Sequence, residues 1–494
     1  MTEMLLDAVG MVFQPANIGV AMLGIMLGTI LGAIPGLTAT MGIALLLPVT
    51  YYMDPVTAII LLTAMYKGGL YGGSVTGILF STPGTPAAAF TVIDGYKMTQ
   101  KGEGGKALKV ALIASFTGDL FANLVLIFSA AILASMALAF GAPEYATLIV
   151  FSFTTIIGLS RGSMLKGFIA TAMGVFFGMI SFDPVSAEPR FAFGSDYLAG
   201  GMNLIPVLIG LLAVSEVLRH LEETRKGKGD VQERIDVRVE KQGLSFREIW
   251  DIRGVLLRSS IIGTGIGALP GLGAGLAAFM GYQNAKTVGK NRHKVGTGVA
   301  EGVAGPEASN SATGSANLIP LVALGIPGDG EAAMILSVMV LHGITPGPRI
   351  FEQNGSLIYA IMFGILLATF FNLLLNWFLT RHAARVSTIP FQYVMPVVLI
   401  TAVAGSYGIH QSMFDVYVMV FFAILGYLMT KFGFSTIALL IGFILGPMLE
   451  SSVRTSMIMS GGSMDIFFTR PITVGLLTAS LLVILWNVWK TLRR

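Results

Sequence analysis

The chain has 494 residues, 54% of them apolar and only 12% charged, with a mean hydropathy of +0.77. That balance excludes a water-soluble core, because apolar runs of about 18 residues or more recur, each long enough to cross roughly 30 Å of hydrocarbon. The absence of cysteine removes thiolate metal sites, disulfides and cysteine nucleophiles, and a net charge of +4 scattered between apolar spans gives no sign of nucleic-acid binding.

The first residues, MTEMLLDAVGMVFQP, lack the basic stretch of a cleaved signal peptide, so insertion is expected to rely on the spans themselves. An apolar run over 17–50 follows, with glycine at every fourth place, Gly24, Gly28 and Gly32, and Pro35-Gly36 at its middle. Proline and glycine stop a helix, so the run predicts a hairpin that returns to the side it entered. A crossing at 56–74, a second hairpin at 75–93 and crossings at 107–140, 144–160, 165–181 and 201–218 come next. The polar segment Arg219 to Arg258 is dense in both signs of charge and reads as a surface linker. The first pattern then returns, with Gly263, Gly267 and Pro270-Gly271 inside a hairpin at 255–285. Beyond it come a crossing at 299–316, a hairpin at 317–343 and crossings at 356–380, 391–408, 414–430, 434–449 and 471–489.

The expected fold is therefore an all-α polytopic membrane protein with about 11 crossings plus 4 hairpins broken by Pro and Gly. Its divisions are a first membrane repeat over 1–218, a cytoplasmic linker over 219–254, a second repeat over 255–450, and an outward loop with a final helix over 451–494. Lys97, Lys101, Lys106 and Lys109 mark one loop as internal, as do Arg161 with Lys166, the linker, Lys286 to Lys294, Arg381 with Arg385, Lys431 and the C-terminal tail. The alternate loops, 141–144, 183–201, 344–355 and 406–413, are poor in Lys and Arg. The N-terminus falls outside and the C-terminus inside, and the two halves have opposite topology. Matching landmarks, Asn123 with Asn372, Ser163-Met164 with Ser412-Met413, and Pro83-Gly84 with Pro327-Gly328, support an inverted-topology repeat.

Duplicated broken helices point to the binding site of a secondary transporter. Non-helical backbone survives at membrane depth only where it is buried in protein or lines an aqueous cavity. The helix N-termini made by a break present free N–H groups and partial positive charge to a carboxylate, while exposed carbonyls and hydroxyls suit a small cation. On these grounds the substrate candidates are Pro35, Gly36, Ser74, Thr76, Ser81, Thr82, Gly84, Thr85, Pro270, Gly271, Asn310, Thr313, Gly328 and Lys67. The coupling-cation candidates are Ser311, Ser315, Asn317, Glu301, Glu307 and Asp329. Packing is the competing reading, strongest for the glycine ladders. For Lys67 it is a pair with a carboxylate, for Asp119 a hydrogen bond within the bundle, and for Asp329 and Glu331 an offset of the helix dipole.

Enzymatic readings find no support. Gly158-Leu-Ser160-Arg-Gly162 has the G-x-S-x-G string without a strand-to-helix elbow, and His220, His293, His342, His382 and His410 fall on separate loops. There is no H-E-x-x-H and no P-loop, so no metal or cofactor is expected beyond Na⁺ or H⁺ as coupling ion.

A set of motifs, taken in order, resembles a known family. These are Gly32-Ala-Ile-Pro-Gly-Leu-Thr-Ala-Thr-Met-Gly-Ile-Ala-Leu-Leu-Leu-Pro48, Asp54-Pro-Val-Thr-Ala58, Tyr71-Gly-Gly-Ser74, Asp94-Gly-Tyr96, Pro306-Glu-Ala308, Leu324-Gly-Ile-Pro-Gly328 and His342-Gly-Ile-Thr-Pro-Gly-Pro348. Together they resemble the large membrane subunit of tripartite tricarboxylate transporters, the TctA type, over nearly the whole chain. The resemblance implies a multi-pass subunit in the bacterial inner membrane, with the N-terminus periplasmic, that takes an organic carboxylate from a periplasmic substrate-binding protein. It also implies a small membrane subunit as companion and a Na⁺ or H⁺ gradient as drive. A self-sufficient cation-coupled anion carrier is the alternative, and a channel a weaker one.

Overall fold

The computed structural model describes residues 2–34, 37–137, 139–159, 163–183, 188–226, 243–269, 272–347, 350–386 and 391–492. Pro35, Gly36, Pro270 and Gly271 lie outside the described residues, as do Arg161 and most of the linker. Each expected crossing coincides with a helix, and seven described helices are long and apolar enough to span a membrane. Among the described residues the only strands form a two-residue ribbon, Ser181–Phe182 against Pro189–Arg190.

Three boundaries differ from the sequence expectation. The crossing at 56–74 and the first arm of the hairpin at 75–93 are one helix, Pro55–Phe80, which breaks only at Ser81. Its glycine pairs Gly68-Gly69 and Gly72-Gly73 look like breakers, yet every residue from Ala58 to Leu79 is buried. Each glycine costs the helix about 1 kcal/mol against alanine, a cost offset by the close packing it permits. The linker is helical at both flanks, in Ser215–Arg225 and from Phe246 onward, and the segment expected as an outward loop from 451 stays helical to Met459.

Glycine contacts define the hairpins. The first comprises Pro15–Gly32 and Ala39–Thr50. A side chain at Gly24 would strike Leu61 and Ala64, one at Gly28 would strike Met65, and one at Gly32 would strike Gly69 and Gly73. The contacts climb both helices together, so Pro15–Gly32 runs parallel to Pro55–Phe80 and ends beside the middle of it. The 12-residue return helix is about 18 Å long, short of a bilayer core of roughly 30 Å, whereas the 18-residue entry helix is long and apolar enough to cross. In the second half, Gly263 backs onto Ser309, Gly267 onto Thr313 and Ala316, and Gly281 onto Gly305. Phe246–Gly267 therefore runs along Ala300–Ala316, and Gly273–Thr287 runs back down it.

The halves complete each other. Pro55–Phe80 packs on its own hairpin and on Ile350–Val386 of the second half, whereas Ala300–Ala316 packs on its own hairpin and on Gly104–Ala137 of the first. Likewise Met164–Gly178 lies on Thr436–Met459, and Met413–Lys431 lies on the π-helical stretch Ile209–Val214.

Polar contacts sort the loops into two ends. At one end Lys97 reaches Gly296 O (2.5 Å), Lys101 reaches Thr297 O (2.7 Å), Lys106 pairs with Glu248, Lys166 reaches Phe432 O (2.6 Å) and Lys431 binds Glu222 (2.9 Å). The Lys106 ammonium holds the Glu248 carboxyl below its ordinary range. At the other end Arg470 binds Glu144 (2.6 Å), Arg190 binds Glu450 (2.6 Å), Arg454 binds Asp183 (2.9 Å) and Tyr52 donates to Gly408 O (3.1 Å). The first set holds the lysine-rich loops and the second holds the lysine-poor ones.

Candidate substrate and ion site

The helix Ala300–Ala316 carries Glu307, Asn310, Ser311, Gly314 and Ser315 on one side, because residues three and four apart share a helical face. All are buried, and this side meets the first half. Ser74 Oγ donates to Glu307 Oε2 at 2.7 Å, and Thr91 Oγ1 donates to the same oxygen at 3.1 Å. Ser311 and Ser115 share a hydrogen bond of 2.7 Å. Asn310 is fully buried, and neither atom of its amide has a hydrogen-bond partner among the described residues; the same holds for Glu307 Oε1 and Ser309 Oγ. Unsatisfied buried polar groups cost about 1–3 kcal/mol each.

One turn from Ser311, Ser315 joins a closed network. Lys67 donates to Asp119, to Ser315 Oγ at 2.8 Å and to Thr369 Oγ1 at 3.2 Å, which uses all three ammonium hydrogens. Ser315 donates to Asp119, Thr369 donates to Asp119 Oδ2 at 2.8 Å, and Asn123 donates to Thr369 Oγ1 at 2.7 Å. Two helices of each half, or their flanks, are thereby tied at one point. Lys67 thus takes the carboxylate pair weighed from sequence, and Asp119 the bundle-facing hydrogen bonds.

Two Pro-Gly breaks stand against one face of Pro55–Phe80. At the first, Ser81 caps the helix in the left-handed conformation (φ 60°), Gly84 N donates to Gly73 O at 3.1 Å, and Thr85 Oγ1 accepts from Ala88 N at 3.2 Å. A side chain at Gly84 would come within 2.7 Å of Gly73 Cα and 2.9 Å of Gly32 O. At the second break, Asp329 caps the next helix through Ala332 N at 2.8 Å, accepts from Tyr66 OH at 2.7 Å and binds Asn317, while Glu331 binds Thr40. Tyr66 and Gly73 are two turns apart on one face, so the breaks sit about 10 Å apart along the axis. They differ in character: Ser81, Thr82 and Pro83 are exposed and carry no acid, whereas residues 325–328 are buried and lead into Asp329 and Glu331.

Other candidates are placed apart. Thr76 Oγ1 donates to Gly73 O (3.1 Å) in its own helix, and Thr313 donates to Gly263 O (3.0 Å) and Ser309 O (2.8 Å). Glu301 accepts from Asn291 N at 2.9 Å near the start of its helix, about 13 Å along the axis from Asn310. Sequence reasoning missed Tyr66, Thr91, Thr40 and Thr369, and it missed the work done by Asp94. That fully buried carboxylate accepts from Gly296 N (2.8 Å), Gly298 N (2.7 Å), Val299 N (3.1 Å) and Tyr282 OH (3.1 Å), at the entry to Ala300–Ala316. The one acid of a short helix, Asp94 in Ala88–Gln100, was the available signal.

These contacts separate four alanine substitutions. Ser74→Ala and Asn310→Ala are expected to reduce transport at least tenfold in membranes holding the parental amount of protein. Thr76→Ala and Thr313→Ala, which lose bonds to backbone carbonyls, are expected to stay within about threefold, in line with ~1 kcal/mol for such a bond. Uptake per unit of immunodetected protein measures both, and equal rates for all four would move the site elsewhere.

Broken helices, glycine-packed helical hairpins and cross-half polar contacts define a polytopic membrane protein of the transporter class. The chain belongs to the tripartite tricarboxylate transporter TctA family, whose family model matches residues 18–441. It is thus a membrane component of such a transporter. An uncharacterized 52.8 kDa protein in the TAR-I ttuC' 3' region of Agrobacterium vitis is 38% identical over 467 residues, covering 94% of this chain and 92% of that one. An uncharacterized protein in the TAR-II ttuC' 3' region of the same organism is 37% identical over 231 residues, covering 47% of this chain and 96% of that one. No solved structure matches.

Proposed function

We propose that this chain is the permease subunit of a binding-protein-dependent secondary transporter that imports an organic carboxylate with Na⁺ or H⁺ across the bacterial inner membrane. The observation that carries the reading is the contrast between the two breaks on one helix face. The acid-free break at 81–86, with Ser81, Thr82 and Thr85 around a helix start, suits a carboxylate. The acidic break, with Asp329, Glu331 and Asn317, suits a cation, as does Glu307 beside Asn310. Anion and cation then lie close enough to favour each other's binding. By sequence pattern alone, the Pro-Gly pairs at 35–36 and 270–271, outside the described residues, are further candidates for substrate binding.

The test is reconstitution. Proteoliposomes holding this chain and the small membrane subunit should accumulate carboxylate when a ligand-loaded binding protein and an inward Na⁺ or H⁺ gradient are supplied, without ATP. This chain alone should accumulate little. Robust gradient-driven uptake by the chain alone would instead establish the self-sufficient carrier. We assign the lysine-rich end to the cytoplasm and the other, with loops 183–201 and 460–470, to the binding protein. Exposed positions test this: Gln100→Cys should resist an impermeant thiol reagent in spheroplasts and Gln353→Cys should label. The reverse pattern would invert the molecule.

A further inference from the structure

We propose that Lys67 is a tethered cation, its ammonium standing in a cage that would otherwise bind a small monovalent cation such as Na⁺. The cage is built entirely of oxygen: the Asp119 carboxylate, Ser315 Oγ and Thr369 Oγ1. Its members come from both halves, and Asn123 fixes Thr369 from behind. Carboxylate and hydroxyl oxygens are the ligands hard cations take, and Asp119 supplies the neutralising charge. A small cavity adjoins the ammonium, lined by Tyr66, Ser115, Ser311 and Gly314 among others, so the position has polar surroundings as well as ligands.

A lysine would not be needed here for packing alone. Both charges are nearly fully buried, and a buried pair is often no more stabilising than apolar residues of the same volume. What the ammonium supplies is a cationic group attached to the chain, which cannot diffuse away as a free ion does. Asp119 is then excluded from ion coupling, which falls to Glu307 and to the acidic break. The inference goes beyond the import reading and does not depend on the substrate.

Purified Lys67→Ala, Lys67→Met and Lys67→Ala/Asp119→Asn, with the parent, should be melted in NaCl and in choline chloride at equal ionic strength. Alanine opens the cage and leaves room for an ion, whereas methionine keeps the stem volume and fills it. Lys67→Ala should melt below the parent in choline and rise by roughly 4 °C or more in NaCl, the size expected for a ligand well above its dissociation constant. Parent, Lys67→Met and the double variant should share one smaller response, set by whatever sodium binds at Glu307 and the acidic break. Recovery of folded Lys67→Ala only when cells are solubilised in NaCl would support the same conclusion. A sodium response no larger than the parent's, an equal response in the double variant, or recovery of Lys67→Met but not Lys67→Ala in either salt would overturn it.

Discussion

Asp94→Ala is expected to lower the stability of the detergent-solubilised protein by about 3–5 kcal/mol, because each buried donor left without an acceptor costs about 1–3 kcal/mol. The carboxylate receives three backbone N–H groups and a tyrosine hydroxyl across the boundary between the halves. Two of those N–H groups, on Gly298 and Val299, are among the donors left over where Ala300–Ala316 begins, and nothing inside that helix can satisfy them. Alanine strands all four donors at once. Asp94→Asn keeps an oxygen but loses the charge and places an NH₂ among donors, so its loss should be intermediate. Melting by intrinsic fluorescence ranks the parent, Asn and Ala variants. Equal melting temperatures for parent and Asp94→Ala would show that the joint carries no stability.

Gly84→Ala is expected to abolish transport while Gly328→Ala retains a measurable fraction. From sequence the two glycines look equivalent, and a positive φ is the natural reason for glycine after a broken helix. Neither adopts it. Both are glycine because of what lies against them, and the obstacles differ. At Gly84 the new methyl would meet Gly73 Cα and the Gly32 carbonyl, backbone of two helices that cannot yield without shifting. At Gly328 it would meet the Asn317 amide, at 2.5 Å from Oδ1, a side-chain end that can turn away with loss of its bond to Asp329. Overpacking against fixed backbone costs typically 1–3 kcal/mol, and here it also displaces the break from the hairpin. Uptake normalised to membrane-inserted protein separates the variants; equal residual activity would mean that the first break is as yielding as the second.

The helices were legible because hydropathy reports them directly, each on its own stretch of chain. The glycine ladder was legible as a pattern, and its packing partners in Pro55–Phe80 were themselves glycine-rich. What stayed hidden depends on distant partners. Nothing near Tyr66 reveals that its hydroxyl binds Asp329, and nothing near Ser74 or Thr91 reveals Glu307, because those contacts arise only when the halves close on each other. Lys67 showed its unusual charge but not which oxygens met it. The end of the crossing at 74 was misplaced for another reason: helix propensity is a weak local preference, and the buried helix runs on through Gly77 to Phe80.

Gly32, Gly69, Gly73 and Gly84 lie together: a side chain at Gly32 would strike Gly69 O, one at Gly84 would strike Gly73 Cα and Gly32 O, and one at Gly69 would strike Ala39, whereas at Gly73 the nearest obstacle is the methyl of Thr85. Ser81, Thr82 and Thr85 border the same point yet face outward or lie half-exposed, so they can be exchanged singly. Adaptive change here is therefore channelled: a descendant that handles a different ligand would vary at 81, 82 and 85 first, with Gly32, Gly69 and Gly84 held as a fixed frame. Selection for new uptake specificity from a library confined to those three positions would sample most of the freedom this corner of the protein has.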